Sequence, residues 1–146
     1  MGLLDRLLRR RAPVAVALDP ADPSLVLLVR APDAARADSA VLAEAERQGV
    51  DLTRPLLLRH HLVGLPDDAA VAIAADLLGQ DGYVLLMGEP GTVLAARTQV
   101  LTALSASQER SRMAGLAQRL GGDVAGWDAL GPAAEHPEHC AGRPPA

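Results

Sequence analysis

Between residues 55 and 130 the hydrophobic pattern changes period in a set order, and that order restricts the fold more than any other feature of the chain. Residues 56–63 (LLLRHHLV), 83–87 (YVLLM), 92–102 (TVLAARTQVLT) and 123–130 (DVAGWDAL) are short apolar runs bounded by Gly, Pro or Asp turns, the mark of strands. Between the first two, Ala70, Ile73, Ala74 and Leu77 recur at helical spacing after Pro66-Asp67-Asp68. Between the last two, Met113, Leu116, Ala117 and Leu120 do the same, and Ser105 with Gln108 has the spacing of a capping box. Gly88-Glu89-Pro90-Gly91 is short enough to close a hairpin, and Gly121-Gly122 ends the second helix. The order β-α-β-β-α-β predicts an α+β, ferredoxin-like antiparallel sheet with the helices on one face.

Upstream, residues 14–18 (VAVAL) and 24–30 (SLVLLVR) flank the turn cluster DPADP and predict an N-terminal hairpin. Asp38 or Ser39 can cap a helix that runs to Gln48, with Val41, Leu42 and Ala45 as its apolar stripe and Gly49 as its stop. Residues 1–12 form a basic amphipathic arm, with Leu3, Leu4, Leu7 and Leu8 on one helical face and Arg6, Arg9, Arg10 and Arg11 around it. The expected organisation is this arm, one α+β domain over 13–130, and a disordered tail over 131–146 that is rich in Pro, Gly and Ala.

What the chain lacks removes whole classes of chemistry. All 14 basic side chains are Arg, so no lysine can form a Schiff base or grip a phosphate in a P-loop. There is one Trp, one Tyr and no Phe, which nearly excludes aromatic stacking platforms for single-stranded nucleic acid. Residues 1–11 carry four Arg and one Asp, whereas the other 135 residues carry ten Arg against 17 acids. That acidic body repels phosphate backbones, so no direct nucleic-acid binding is expected, and it suits a basic protein partner. Cys140 is alone and cannot close an internal disulfide, which fits a reducing, cytoplasmic setting. No apolar run approaches the ~20 residues of a membrane span, so no membrane insertion is expected.

His136, His139 and Cys140 are metal-ligand types, but Pro137 breaks their helical spacing and a fourth ligand is missing. No metal or other cofactor is therefore expected. Cys140 has no base near it in sequence, Gly88-Glu89-Pro90-Gly91 is a turn and not a phosphate cradle, and no serine sits in a nucleophile elbow. These absences point away from an enzyme and toward a binding protein.

The residues that stand out are polar groups on the first strand of the motif. Neighbours on a strand face opposite ways. His60 shares a face with Leu56, Leu58 and Leu62 and reads as a structural histidine. His61 shares the other face with Arg59, and both are candidates for partner contact. Asp67 and Asp68 put carboxylates at the positive end of a helix. Trp127, which follows Gly121-Gly122, is either the largest core anchor or an interface hot spot.

Three segments together resemble one family. Asp38 to Pro55 contains SAVLAEAERQGVDLTRP, with a G-x-D-L-[ST]-x-P joint. LLLRHHLVGLPDDAA is a strand ending in a His pair, followed by an acidic helix start. LAQRLGGDVAGWDAL carries G-G-x-x-x-G-W-[DE], the most specific of the three. They resemble the RraB family, regulators of ribonuclease E activity. The resemblance implies a ferredoxin-like domain and a non-enzymatic protein that binds ribonuclease E, restrains RNA cleavage and so alters transcript turnover. The partner region it implies is the disordered, Arg-rich scaffold arm of that enzyme. The alternative is a ferredoxin-like module that forms a homodimer or binds a small ligand, with no link to ribonucleases.

Overall fold

The structure is a computed structural model that describes residues 16–32 and 36–133. The basic arm, Cys140, His136 and His139 lie outside the described residues. Five strands and three helices follow in the order β1 (Leu25–Ala31), α1 (Asp38–Arg47), β2 (Leu56–Val63), α2 (Asp68–Gly79), β3 (Val84–Met87), β4 (Thr92–Gln99), α3 (Ala103–Arg119) and β5 (Asp123–Pro132). The sheet order is β1-β5-β2-β4-β3, antiparallel throughout. From β2 onward this is the ferredoxin-like arrangement. β2 and β5 meet at the centre although 59 residues separate their near ends, because each crossover helix carries the chain past one strand.

Among the described residues of 14–30 the expected hairpin does not form. Residues 16–19 are irregular, and β1 pairs with β5 at the sheet edge. Leu18 N–H instead donates to Thr98 Oγ1 at 2.8 Å, which lays this segment on the helix-free face of the sheet at the end of β4. The Asp19-Pro20 and Asp22-Pro23 steps supply no ladder donors and hold tight local turns, so the chain bends before it can pair back. At the other end, β5 runs on to Pro132, two residues into the segment expected to be tail.

Helix starts also differ in detail from expectation. α1 begins after Ala37, with no side-chain cap, because Asp38 is drawn inward to the core. α3 has a reciprocal capping box, but it is made by the hydroxyls of Thr102 and Ser105 in place of a Ser-Gln pair. β4 stops at Gln99 so that Thr102 can cap. α2 starts as expected, with Asp67 Oδ1 accepting from Ala70 N–H at 2.8 Å.

All three helices pack on one face. One core cluster joins Val41, Leu42 and Ala45 of α1 and Ala106 of α3 to Leu56, Leu58, Trp127 and Ala129 of the sheet. A second joins Leu78 of α2 and Met113, Leu116 and Ala117 of α3 to Leu62, Val93 and Ala95. With no Phe and one Trp, the core is filled mainly by Leu, Ala and Val, and Trp127 is the largest fully buried residue.

Candidate functional site

The β2–β5 ladder fixes what each face presents. Arg59 lies opposite Asp128, His60 opposite Trp127 and His61 opposite Gly126. Gly126 is the pivot of this register. Its φ is +145°, and the ladder slips there, with Leu62 facing Val124. A Cβ at 126 would lie 2.3 Å from the Ala31 carbonyl oxygen of β1, so only glycine fits the bulge. Gly122 is constrained in the same way, since a Cβ there would lie 2.6 Å from Val63 O, and Gly121 turns the chain at φ +89°.

On the helix-free face, Asp128 is the centre of a polar cluster. Arg59 grips it with two parallel bonds, Nε to Oδ1 at 2.7 Å and Nη2 to Oδ2 at 2.8 Å. His61 Nε2 reaches Oδ2 at 2.9 Å. Asp128 is buried, while the Arg59 and His61 side chains are 24% and 33% exposed. The carboxylate therefore acts as a buried anchor that sets two half-exposed nitrogen-bearing groups in a fixed orientation. Arg59 Nη1 makes no hydrogen bond among the described residues and can donate outward.

The helix-covered face holds a different set. Trp127 Nε1 donates to Asp38 Oδ1 at 3.2 Å, and Arg110 Nη2 lies 3.3 Å from Asp38 Oδ2. This ties β5, α1 and α3 at one point. Tyr83 O–H donates to Glu109, and Arg97 stacks 4.3 Å above the Tyr83 ring while lying 3.5 Å from Glu109 Oε1. Burial and the bond to Glu109 raise the Tyr83 phenol well above its usual range.

His60 sits between the two core clusters, fully buried, with neither ring nitrogen bonded to any described residue. Burial lowers its pKa from 6.5 to about 4, so the ring is neutral at pH 7. Above pH 6.5 the folded and unfolded states are both neutral at this group and it costs nothing in protonation. Between 6.5 and 4 only the unfolded chain takes the proton, so stability falls as pH falls. The expected loss is about 3 kcal/mol by pH 4. Urea titrations of the parent and His60→Leu across pH 4–7.5 check this. The variant is expected to be at least as stable at pH 7 and to lack this part of the acid loss.

The candidate residues thus divide. Arg59 and His61 are together on the open face. Asp67 and Asp68 lie beyond the end of β2, beside the Gly121-Gly122 turn, because Gly121 abuts Pro66 and Gly122 lies against Gly64 and Leu65. Asp123, opposite Val63, belongs to the same end. Trp127 must be reassigned: at 1% exposure under the helices it is a core anchor and cannot meet a partner on the open face. The central residue of the cluster, Asp128, was not singled out from the sequence. The signal was the alternation of β5, which sends the neighbour of a buried Trp to the opposite face.

Among the described residues no group of three or more His, Cys, Asp or Glu could hold a metal ion, and no helix is long and apolar enough to cross a membrane. A protein-family model described as regulator of ribonuclease activity B, RraB, matches residues 35–129, more than half of the chain. The chain belongs to the RraB family. No curated protein and no solved structure matched it. The RraB match takes in α1, the whole β-α-β-β-α unit and β5 as far as Ala129, so both sides of the Arg59–Asp128–His61 cluster lie inside it. The family is one of regulators of ribonuclease activity, which makes a regulatory role in RNA degradation the coarse function of this chain.

Proposed function

We propose that this protein binds an endoribonuclease of the ribonuclease E type and restrains it, without catalysing a reaction itself, and that the contact runs over the helix-free sheet face at Arg59 and His61. The observation that carries this reading is the Asp128-anchored pair: two polar groups held in fixed orientation and half open to solvent, within the span that marks the family. A pre-oriented pair of polar side chains loses little side-chain entropy on binding. Asp67, Asp68 and Asp123 at the adjoining end supply negative charge toward an Arg-rich partner segment. The acidic body as a whole steers such a segment in and disfavours RNA, and a cytoplasmic setting suits that partner.

Cleavage of a structured RNA by purified full-length ribonuclease E, with and without this protein, tests the proposal. Cleavage is expected to slow as the protein is added. Asp67→Asn/Asp68→Asn keeps the helix cap, since Asn caps as well as Asp, but removes two charges. It is expected to weaken binding about tenfold at low salt and less at high salt. An unchanged cleavage rate at saturating protein, with no complex on a sizing column, would overturn the proposal.

A further inference from the structure

The two edges of the sheet are built differently. β1 carries a bulge between Leu27 and Val29 and an exposed Arg30, both of which hinder pairing with another strand. β3 has no such device. Residues 82–88 (GYVLLMG) contain no charge and no proline, and β3 pairs with β4 in unbroken register. Val84 is 54% and Met87 81% exposed. Among the described residues nothing pairs with the outer side of β3.

The ladder shows which backbone groups face outward. Gly88 N–H donates to Thr92 O, so 88 and 92 are a bonded pair. Bonded pairs alternate along an antiparallel ladder, which turns Leu86 and Val84 toward β4 and leaves the N–H and C=O of Leu85 and Met87 pointing out. Tyr83 N–H, next in that series, already turns away from β4 and donates to Leu78 O.

The geometry points to a second copy of this chain as the occupant of that edge, with β3 pairing antiparallel to β3 about a two-fold axis at Leu86. A two-fold perpendicular to the sheet keeps each residue on its own face. It sets Leu85 of each copy against Met87 of the other, so that all four outward N–H groups and all four carbonyls of these residues are used. An axis at Leu85 would set Met87 against Tyr83, whose N–H is already bonded. The register at Leu86 also brings Glu89, which has no ion pair among the described residues, opposite Tyr83 of the second copy, where Arg97 stacks. The strand is thus self-complementary in backbone bonds, apolar contact and charge. The interface is small, so association is expected on the order of 10–100 μM.

Sedimentation of the full chain from about 1 to about 300 μM brackets that range and reads the result. The average mass is expected to rise from one chain toward two. Met87→Lys, at an exposed position that the fold does not use, is expected to weaken association at least tenfold, while Val26→Lys on the β1 edge leaves it unchanged. Leu86→Cys in a Cys140→Ser background is expected to form a disulfide-linked dimer under mild oxidation, because position 86 meets itself at the axis. A monomer throughout the range overturns the inference, as does a dimer that Met87→Lys leaves intact. A β3 edge that accepts only an extended segment of another protein would register as the first of these.

Discussion

Replacing Trp127 by alanine is expected to cost about 4 kcal/mol of stability. The ring is 1% exposed and joins the cluster that binds α1 and α3 to the sheet. With no Phe to fill the space, the cavity would be lined by Ala and Leu side chains too short to collapse into it. The variant would also strand Asp38, whose Oδ1 takes the indole N–H. Trp127→Phe separates the two effects, since it keeps most of the volume and loses the bond, at an expected cost of about 1–2 kcal/mol. Urea or thermal unfolding measures both. Partner affinity of folded Trp127→Phe is expected to match the parent. A loss of affinity without a loss of stability would return Trp127 to the interface.

The neighbouring residue is expected to behave in the opposite way. Asp128→Ala removes the acceptor of two Arg59 bonds and one His61 bond. The stability cost is expected at about 2–3 kcal/mol, below that of a fully buried pair, because Arg59 is partly exposed and can be rehydrated. The loss in binding is expected to exceed this, since Arg59 and His61 would lose the orientation that a partner reads. The double variant Arg59→Met/Asp128→Leu puts apolar groups in place of the ion pair. It is expected to recover most of the stability, as such exchanges often do, and none of the binding. Calorimetric titration against the ribonuclease, paired with unfolding curves, distinguishes these outcomes. If Arg59→Met/Asp128→Leu binds as well as the parent, the cluster is structural and the contact lies elsewhere.

The contrast between 127 and 128 is one residue wide and depends on Gly126. A bulge at a different place would shift β5 by one and exchange the faces of Trp127 and Asp128. Glycine is forced there by the approach of β1, whose Ala31 carbonyl occupies the space of a side chain. This gives a physical reason for the Gly-Trp-Asp end of the motif: one residue makes the bulge, one enters the core, one anchors the open face.

The ferredoxin-like order was legible in the sequence because strand and helix periods are local. Leu56, Leu58 and Leu62 alternate as expected, and α2 forms where the helical spacing put it. Its buried face is turned from the expected Ala70, Ile73, Ala74 and Leu77: Ala70, Ala74 and Leu78 face the sheet while Ile73 and Leu77 are exposed. The placing of His60 and His61 on opposite faces followed from the same rule. The family, too, could be read from short motifs that survive in order.

What the sequence alone could not decide were matters of pairing across long separations. Residues 14–30 have the local look of a hairpin, yet β1 pairs with β5 about 100 residues on, because the two Asp-Pro steps turn the chain away and the edge of β5 is open. Asp38 has the spacing of a cap, yet Trp127, 89 residues away, draws it inward. Asp128 has no meaning until β2 is laid beside β5 and Arg59 is set opposite it. Local periodicity determined the elements and their order. Tertiary packing alone decided which polar groups are buried against each other, because desolvation and hydrogen bonding act only between groups that the finished sheet has brought within reach.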